Sequence, residues 1–279
     1  MSRTTEAARR IVVVGASTGL GRSVAIALAQ RGEHVALLAR SKDKLDAAAA
    51  EAGNGAVAIA CDVTDEQSVR DAIAEAARSL GGIDGVVYAS GIGTLRRLED
   101  LDSETWLRTF ATNVVGANAV TAAALPHLQE SRGVVTYFSS NSTSLTPPWP
   151  GLGSYLVSKA ALDKLVEMWR AEHPQVGFTR VIVGPNGGGE GDAQSQFTAG
   201  WDMELAGELF PVWSARGCLS LEDGLVVIKD FVDILHTVLR LGASATIPTV
   251  AVTPRTPPPG VPPQDERVAV AADNAGQTA

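Results

Sequence analysis

A glycine-rich turn near the start of the chain lies between an apolar run and a helical pattern. The run from Ile11 to Val14 is typical of a strand that is buried on both faces of a parallel sheet. Gly15, Gly19 and Gly21 follow it, and a helical pattern extends from Ser23 to Arg31. A helix that begins at such a turn presents unpaired backbone N–H groups and the positive end of its dipole, so it can bind a phosphate. The order of strand, turn and helix therefore predicts an α/β fold with a dinucleotide site at its first turn.

Each glycine of this turn has its own expected role. Gly15 permits the tight turn, Gly19 lets the backbone approach a pyrophosphate, and Gly21 permits close packing of the helix on the strand. The alternative is a glycine-rich turn that is merely tight. The residues predicted to bind the dinucleotide here are Gly15, Ser17, Thr18, Gly19, Leu20 and Gly21.

The end of the second predicted strand indicates which dinucleotide is bound. The apolar run from Val35 to Ala39 ends at Arg40 and Ser41, with no carboxylate at the strand end. In NAD-binding versions of this layout an acidic residue lies about 20 residues past the glycines, whereas an arginine there suits a 2′-phosphate. Arg40 and Ser41 therefore predict NADP(H). Arg22 could add charge, although a solvated surface arginine is the plausible alternative for that residue.

Apolar runs and helical patterns continue to alternate along the chain. Further strands are predicted at 56–60, 85–88, 133–138, 178–183 and, partly as an edge strand, 246–252. Helices are predicted at 47–52, up to Leu80 from a cap at Thr64 or Asp65, at 103–129, at 153–171 and at 230–241. Repeated strand-helix units predict a doubly wound, parallel, seven-stranded sheet with helices on both faces.

Several polar or small residues come directly after these strands. In a parallel sheet of this kind the ligand binds at the carboxyl ends of the strands. Asp62 could form a turn or a cap there, or it could contact the adenine, and the sequence leaves these alternatives open. The further residues predicted to contact the dinucleotide at strand ends are Asp62, Val63, Ala89, Ser90, Gly91 and Pro185.

Tyr155 and Lys159 are four residues apart in a predicted helix, so their side chains share one face. A free phenol titrates near pH ~10, and an adjacent cation favours the phenolate. We therefore expect Lys159 to bring the pKa of Tyr155 toward the working range, which would make the phenol an acid/base. For an isolated pair, a solvated helix face is the alternative. Here the fifth strand runs into Ser139 and Ser140 just upstream.

Composition excludes several other classes of protein. The 279 residues are 45% hydrophobic and 19% charged, with a formal charge of −8 and no basic block, which argues against nucleic acid or an anionic membrane as the partner. Cys61 and Cys218 do not form a Cys-x-x-Cys pair, so we expect neither a disulfide nor a metal site. No secretory signal or apolar span is present, so we expect a soluble, cytoplasmic protein.

The later part of the chain is less regular. We predict one domain over 1–253, with a lid segment at about 186–226, and a proline-rich, disordered tail over 254–279. Aromatic side chains either roof a hydrophobic pocket or bury a small helical lid, namely Trp149, Phe197, Trp201, Phe210 and Trp213.

Taken in sequence order, these pieces resemble the short-chain dehydrogenase/reductase family, whose fold is of the Rossmann type, over roughly Arg10 to Val252. The resemblance implies that Tyr155 exchanges a proton with the substrate and that Lys159 lowers the pKa of Tyr155 and binds the nicotinamide ribose. It also implies that Ser140 holds the substrate oxygen and that Asn113 supports a water in the proton relay. Ser139 and Ser142 are the alternatives to Ser140.

The chain departs from the family pattern at two strand ends. Residues 88–91 read Tyr-Ala-Ser-Gly in place of the usual Asn-Asn-Ala-Gly, and Pro185-Asn186 replaces the usual Pro-Gly. These departures motivate a second hypothesis, an NADP-binding regulatory or structural subunit with little turnover.

The resemblance implies an NADPH-dependent reductase of a ketone or aldehyde, reversible as an alcohol dehydrogenase. Imine reduction or isomerisation on the same site cannot be separated from this by sequence. A homodimer or homotetramer built on the helices that carry Asn113 and Tyr155 is also implied. The expected substrate is a small carbonyl or alcohol compound, for which the aromatic residues leave a hydrophobic character open.

Overall fold

The apolar runs of the sequence form one parallel sheet in the computed structural model, which describes residues 7–186, 195–219 and 224–256. Within these residues the sheet has seven strands in the order β3-β2-β1-β4-β5-β6-β7, which confirms the predicted fold class. The strands are β1 (Arg10–Val14), β2 (His34–Ala39), β3 (Val57–Ala60), β4 (Gly85–Tyr88), β5 (Val134–Ser140), β6 (Gly177–Val183) and β7 (Thr249–Val252).

Helices connect the strands and cover both faces of the sheet. The α-helices of the described residues are α1 (Gly19–Gln30), α2 (Lys42–Ala52), α3 (Glu66–Leu80), α4 (Ser103–Phe110), α5 (Gly116–Ser131), α6 (Gly153–Glu172), α7 (Met203–Ala215) and α8 (Ile228–Leu239). Asp65 caps α3, since its carboxylate accepts hydrogen bonds from the backbone N–H groups of Gln67 and Ser68. Among these helices, none combines the length and the apolar character needed to cross a bilayer.

The core lies in two layers, one on each face of the sheet. Successive residues of β1 alternate between the layers: Val12 and Val14 face α3, α5 and α6, whereas Ile11 and Val13 face α1, α2 and α8. All four side chains are fully buried. This two-sided burial is the reason why the strand reads as a continuous apolar run.

The order of the strands reverses between β1 and β4. Val14 pairs with Leu38 of β2 on one side and with Tyr88 of β4 on the other, and Tyr88 pairs in turn with Tyr137 of β5. The carboxyl ends of these strands therefore lie in register at one edge of the sheet. In open α/β sheets the ligand crevice lies at such a reversal.

The long helix predicted over 103–129 is confirmed, since the chain is helical without a break from α4 through α5. It contains a π-helical segment, Ala111–Val115, which carries Asn113. The π-helical segment itself was not predicted, because an apolar pattern does not reveal one inserted residue in a helix.

The segment predicted as a lid is described only in part. Helix α7 packs on the connection before α6, where Trp213, 2% exposed, donates a hydrogen bond from Nε1 to the carbonyl of Pro150 at 2.8 Å. Residues 187–194 and 220–223 of the predicted lid, and 257–279 of the predicted tail, lie outside the described residues.

Candidate active site

The glycine turn between β1 and α1 has no room for side chains at two positions. A Cβ at Gly15, where φ is +86°, would lie 2.7 Å from the backbone nitrogen of Ser90. A Cβ at Gly21 would lie 2.3 Å from the carbonyl oxygen of Gly15 and 3.1 Å from the Cβ of Ala89. The glycines therefore let α1 and the end of β4 approach the turn closely, and the turn is not merely tight.

The N-terminus of α1 is suited to an anion. Thr18 is the N-cap residue, but its side chain makes no capping hydrogen bond, and no acidic residue lies in the first turn. A carboxylate there would compete with a phosphate for the N–H groups. The turn thus fits the pyrophosphate of a dinucleotide.

Arg40 and Arg22 differ in what they contact. Arg40 is exposed and makes no hydrogen bond or ion pair within the described part of the chain, so its guanidinium is available to a ligand. Arg22 is paired with Glu51 at 2.5 Å, in keeping with the surface role suggested for it. The two arginines are therefore not equivalent candidates for a 2′-phosphate.

Asp62 forms a local turn. Its Oδ1 accepts hydrogen bonds from the backbone N–H of Thr64 at 2.9 Å and from the Thr64 hydroxyl at 2.7 Å. These bonds, with a smaller contribution from the charge of Arg40, hold the pKa of Asp62 below its ordinary value. Of the alternatives left open by the sequence, Asp62 therefore forms a turn. This turn fixes the backbone around Val63, just after β3.

Asn113 is fully buried in the π-helical segment and uses its side chain to hold neighbouring elements. Its Oδ1 accepts a hydrogen bond from the backbone N–H of Ile92, and its Nδ2 donates to the carbonyl of Ile92, both at 2.9 Å. Nδ2 also donates to the hydroxyl of Ser158 at 2.8 Å. Asn113 therefore fixes the chain after Gly91 against α6, and Ser158, which the sequence interpretation missed, is its partner there.

Ser140 and Tyr155 come together at the end of β5. The Ser140 side chain acts to lower the pKa of the Tyr155 phenol, and the hydroxyl oxygens of Ser140 and Ser142 are 2.6 Å apart. Ser139 lies on β5 with its hydroxyl buried and without a partner among the described residues. Of the three serines considered, Ser140 is the one whose side chain acts on the pKa of Tyr155.

Lys159 is buried one helical turn beyond Tyr155. Its side chain donates a hydrogen bond from Nζ to the carbonyl of Phe138 at 2.6 Å, and Nζ lies 5.8 Å from the centre of the Tyr155 ring. A Cβ on Gly91 would lie 3.3 Å from Nζ, so the end of β4 also approaches the amine closely. The amine is thus held between β4, β5 and the Tyr155 ring.

The pKa of Tyr155 is shifted in the direction opposite to the one predicted. Burial raises the pKa of the phenol to about 12, and the interaction with the Ser140 side chain offsets only part of that rise. Burial also lowers the pKa of the Lys159 amine to about 8, while the charge of Asp163 acts to raise it. The expectation of a lowered phenol pKa is wrong for this structure because burial disfavours the charged form of both groups.

Asp163 lies one turn beyond Lys159 and is buried. Its Oδ2 accepts hydrogen bonds from the Thr143 hydroxyl at 3.0 Å and from the Arg180 guanidinium at 3.2 Å. The Thr143 hydroxyl oxygen is also 2.8 Å from the carbonyl oxygen of Ser140, so its single hydrogen is shared between the two acceptors. The carboxylate therefore holds the chain just after Ser140 in place. Its four-residue spacing from Lys159 is the sequence signal that could have revealed it.

An aromatic side chain lies against Tyr155. The ring centre of Phe197 is 4.7 Å from that of Tyr155 and 5.4 Å from that of Trp201, and both pairs meet edge to face. Gly93 makes this contact possible, since a Cβ there would lie 2.5 Å from the Phe197 ring and 3.2 Å from the Tyr155 Cβ. The aromatic residues therefore divide between the two expected roles. Trp213 buries helix α7 against the body of the protein, and Phe197 lies at the candidate active site.

Comparison with known proteins gives a family match over most of the chain. The family model described as short chain dehydrogenase matches residues 9–196. The 11-beta-hydroxysteroid dehydrogenase A of Sesamum indicum is 32% identical over 184 residues, which are 64% of this chain and 52% of that protein. The chain thus spans about half the length of this relative.

A second curated relative and a solved structure agree with this match. The uncharacterized oxidoreductase YghA of Escherichia coli (strain K12) is 30% identical over 223 residues, covering 74% of this chain and 75% of that protein. The structure of an alcohol dehydrogenase from Thermococcus sibiricus complexed with 5-hydroxy-NADP has a TM-score of 0.72 at 24% identity, covering 90% of this chain and 98% of that one. The sheet, the glycine turn and the family match together establish that this chain belongs to the short-chain dehydrogenase family of oxidoreductases.

Proposed function

We propose that the chain is an NADPH-dependent oxidoreductase that reduces a ketone or an aldehyde to an alcohol and works in reverse as an alcohol dehydrogenase. The observation that carries this proposal is the convergence of Ser140, Tyr155 and the buried amine of Lys159 at the end of β5, with the amine 5.8 Å from the centre of the Tyr155 ring. Two hydroxyl groups that converge in this way can hold a carbonyl oxygen and protonate it.

The crevice at the β1/β4 reversal fits a dinucleotide. The close approach of Gly15 and Gly21 to their neighbours, the uncapped N-terminus of α1 and the free guanidinium of Arg40 support this choice, and Arg40 favours NADP(H) over NAD(H). When bound, the cofactor supplies the hydride for the carbonyl carbon. The residues proposed to hold it are Gly15, Ser17, Thr18, Gly19, Leu20, Gly21, Arg40, Ser41, Asp62, Val63, Ala89, Ser90, Gly91, Tyr155, Lys159 and Pro185.

The roles of the side chains in reduction follow from their contacts and pKa values. Ser140 orients the substrate oxygen by donating a hydrogen bond to it. Tyr155, whose pKa is about 12, is protonated at neutral pH and donates its proton to that oxygen. Lys159, whose pKa is about 8, is largely charged at neutral pH and stabilises the phenolate that remains. Asn113 keeps the end of β4 and α6 in position through Ile92 and Ser158.

The surroundings of Tyr155 favour an apolar substrate. Phe197 lies against the Tyr155 ring, Trp201 lies against Phe197, and the cluster of Leu95, Leu152, Leu209 and Trp213 is buried and apolar. Because the Phe197 ring lies against that of Tyr155, an aromatic group beside the carbonyl can contact it, and such contacts add about 0.5–1.5 kcal/mol beyond area burial. We therefore propose that the substrate carries an apolar, preferably aromatic, group beside its carbonyl.

The test is a steady-state assay of NADPH oxidation over a panel of aryl and alkyl ketones and aldehydes. Wild type is expected to turn over aryl members best, and Tyr155→Phe is expected to lose about 10²–10⁴-fold in kcat because the proton donor is gone. Ser140→Ala should also lose activity, whereas Ser139→Ala, whose hydroxyl has no partner among the described residues, should stay near wild type. Equal activity of Tyr155→Phe and wild type would overturn the assignment.

The rival hypothesis, a cofactor-binding subunit without turnover, makes a different prediction for the same preparations. It expects tight NADPH binding by calorimetry with no turnover on any carbonyl. Turnover by wild type therefore excludes the rival, and binding without turnover excludes the proposed reductase.

A further inference from the structure

We infer that Tyr88 is a positioning residue, whose phenol fixes the π-helical segment that presents Asn113 to the active site. The inference rests on the proposed function insofar as Asn113 serves the reaction. It concerns a position where the chain carries Tyr in place of the Asn expected from the family pattern. Tyr88 itself is not a catalytic residue, since it acts through the backbone of the neighbouring helix.

The inference is based on a hydrogen bond between Tyr88, the last residue of β4, and the π-helical segment. Tyr88 is 1% exposed, and its hydroxyl donates to the carbonyl oxygen of Thr112 at 2.5 Å. Thr112 is the residue immediately before Asn113 and belongs to the same π-helical segment. The phenol therefore fixes the backbone one residue away from the asparagine.

Gly116 makes this hydrogen bond possible. A Cβ at Gly116 would lie 2.8 Å from the Tyr88 hydroxyl and 2.9 Å from the carbonyl oxygen of Val63, both closer than side-chain carbons come to such atoms. The glycine at the start of α5 thus leaves the space that the phenol occupies. The Tyr88 hydroxyl and the carbonyl of Val63, just after β3, both pack against Gly116.

A π-helical turn needs such support. It carries one residue more than a regular turn, is rare, and is found mostly as a single turn, frequently at functional sites. Burial raises the pKa of the Tyr88 phenol well above its ordinary value, so the hydroxyl keeps its proton and remains a donor throughout the working pH range. The support is thus permanent and does not titrate with the site.

The effect of this support reaches the site through three side-chain hydrogen bonds of Asn113. They hold both backbone groups of Ile92 and the hydroxyl of Ser158, and Ser158 itself donates to the carbonyl of Tyr155 at 2.7 Å. A displacement of the turn at Thr112 therefore changes the position of α6 where it carries Tyr155 and Lys159.

Tyr88→Phe is the test, because it removes only the phenol oxygen and keeps the buried ring. The matched control is Tyr137→Phe. Tyr137 pairs with Tyr88 across β4 and β5, is fully buried, and has its hydroxyl 2.7 Å from that of Thr121 on α5, outside the π-helical segment. Each variant loses one buried hydrogen bond, so both are expected to lower the Tm by similar amounts.

The two variants are expected to differ in catalysis. Tyr88→Phe should lower kcat about tenfold and shift the pH profile of kcat, with little change in the Kd of NADPH, because it misplaces groups that act on the reacting atoms. Tyr137→Phe should keep the kcat and pH profile of wild type. Equal losses in the two variants, or a wild-type kcat in Tyr88→Phe, would overturn the inference.

A second measurement does not depend on the reaction. The N–H of Ile92 donates to Asn113, so amide-resolved hydrogen exchange reports directly on the position of that side chain. Exchange at Ile92 should be faster in Tyr88→Phe than in Tyr137→Phe and wild type. If wild type lacks turnover but Ile92 responds in this way, the proposed function fails and the positioning role stands. If Ile92 exchanges equally in all three proteins, the positioning role fails.

Discussion

Lys159 is buried with 4% of its surface exposed, and its amine donates to the carbonyl of Phe138. Burial lowers the pKa of this amine from 10.5 to about 8. Between those two values the native state therefore binds fewer protons than the unfolded state. Loss of the proton then favours the native state, so the contribution of Lys159 to stability rises with pH across that window.

This sign gives a prediction for Lys159→Met. The free energy of unfolding should be measured in urea from about pH 8 to about pH 10.5. Over this range that of wild type should increase relative to that of the variant, by on the order of 3 kcal/mol in total. Below about pH 8 the difference between the two proteins should be constant. A difference that stays constant through the whole range would mean that the amine is not desolvated in the native state.

Arg40 gives a prediction about the choice of cofactor. Arg40→Asp should raise the Kd of NADPH about a hundredfold and change that of NADH much less, because a carboxylate repels a 2′-phosphate and accepts a hydrogen bond from a 2′-hydroxyl. Arg22→Asp is the control, since Arg22 is paired with Glu51 and should affect both cofactors alike. Calorimetric titration of both cofactors measures the ratio, and an unchanged ratio in Arg40→Asp would contradict NADP(H) specificity.

At the scale of single residues, the sequence predicted identities better than environments. The spacing of Tyr155 and Lys159 correctly placed both on one helix, α6, because helical periodicity is a local property. The direction of the Tyr155 pKa shift was wrong because it depends on burial, and burial comes from β5, Gly93 and Phe197, which are distant in the chain. A contact such as that of Tyr88 with Thr112 was missed for the same reason.

At the scale of secondary structure elements, a buried carboxylate lies at the edge of the sheet opposite the candidate active site. The amino ends of β1 and β2 and the carboxyl end of α8 meet there. Glu33 is 1% exposed and accepts hydrogen bonds from the backbone N–H of Arg9 at 2.5 Å and from Arg240 at 2.5 Å, with His236 at 2.6 Å. Burial alone would raise the pKa of Glu33, but these three hydrogen bonds together outweigh burial and lower it. The carboxylate thus contributes stability in its ionised form.

Glu33→Gln is therefore expected to destabilise the protein by about 3 kcal/mol at neutral pH, since it removes the charge from a buried cluster. A carboxyl group with a lowered native pKa stabilises above its unfolded pKa, so this difference should shrink as the pH falls through the native pKa of Glu33. Glu51→Gln, which affects an exposed ion pair with Arg22, should cost less than about 1 kcal/mol. Urea unfolding of wild type and the two variants measures these free energies. Equal losses of stability in the two variants would contradict the role given to Glu33.

The elements themselves were predictable where the pattern is local and not where it is tertiary. The apolar runs of β1 and β2 and the Asp65 cap of α3 follow from strand burial and capping chemistry, so their existence could be read from the chain. The π-helical segment at Ala111–Val115 could not, because the contacts that hold it, with Tyr88 of β4 and in the space left by Gly116, are tertiary. That segment carries Asn113, so an element that could not be predicted holds one of the residues that position the site.

At the scale of the whole molecule, α4, the π-helical segment and α6 expose large apolar side chains. Leu107 on α4 is 71% exposed, Val115 in the π-helical segment 55%, and Val157 and Met168 on α6 48% and 49%. Helices α4 and α6 also pack against each other. Exposed apolar groups that recur on neighbouring helices are typical of an interface between subunits.

We therefore expect wild type to form a homodimer or homotetramer through these helices. Leu107→Glu and Val157→Glu should each shift the measured mass toward that of the monomer, because a buried unpaired carboxylate opposes association. Met203→Glu is the control: Met203 is 74% exposed but lies on α7, which is not one of the proposed interface helices, so the mass of this variant should match wild type. Light scattering measures all four proteins, and a monomeric wild type, or a dissociating effect of Met203→Glu equal to that of Val157→Glu, would contradict this assembly. Because α6 carries Tyr155 and Lys159 as well as Val157, the monomeric variants should also lose activity in proportion to their dissociation, which activity measured across protein concentrations would reveal.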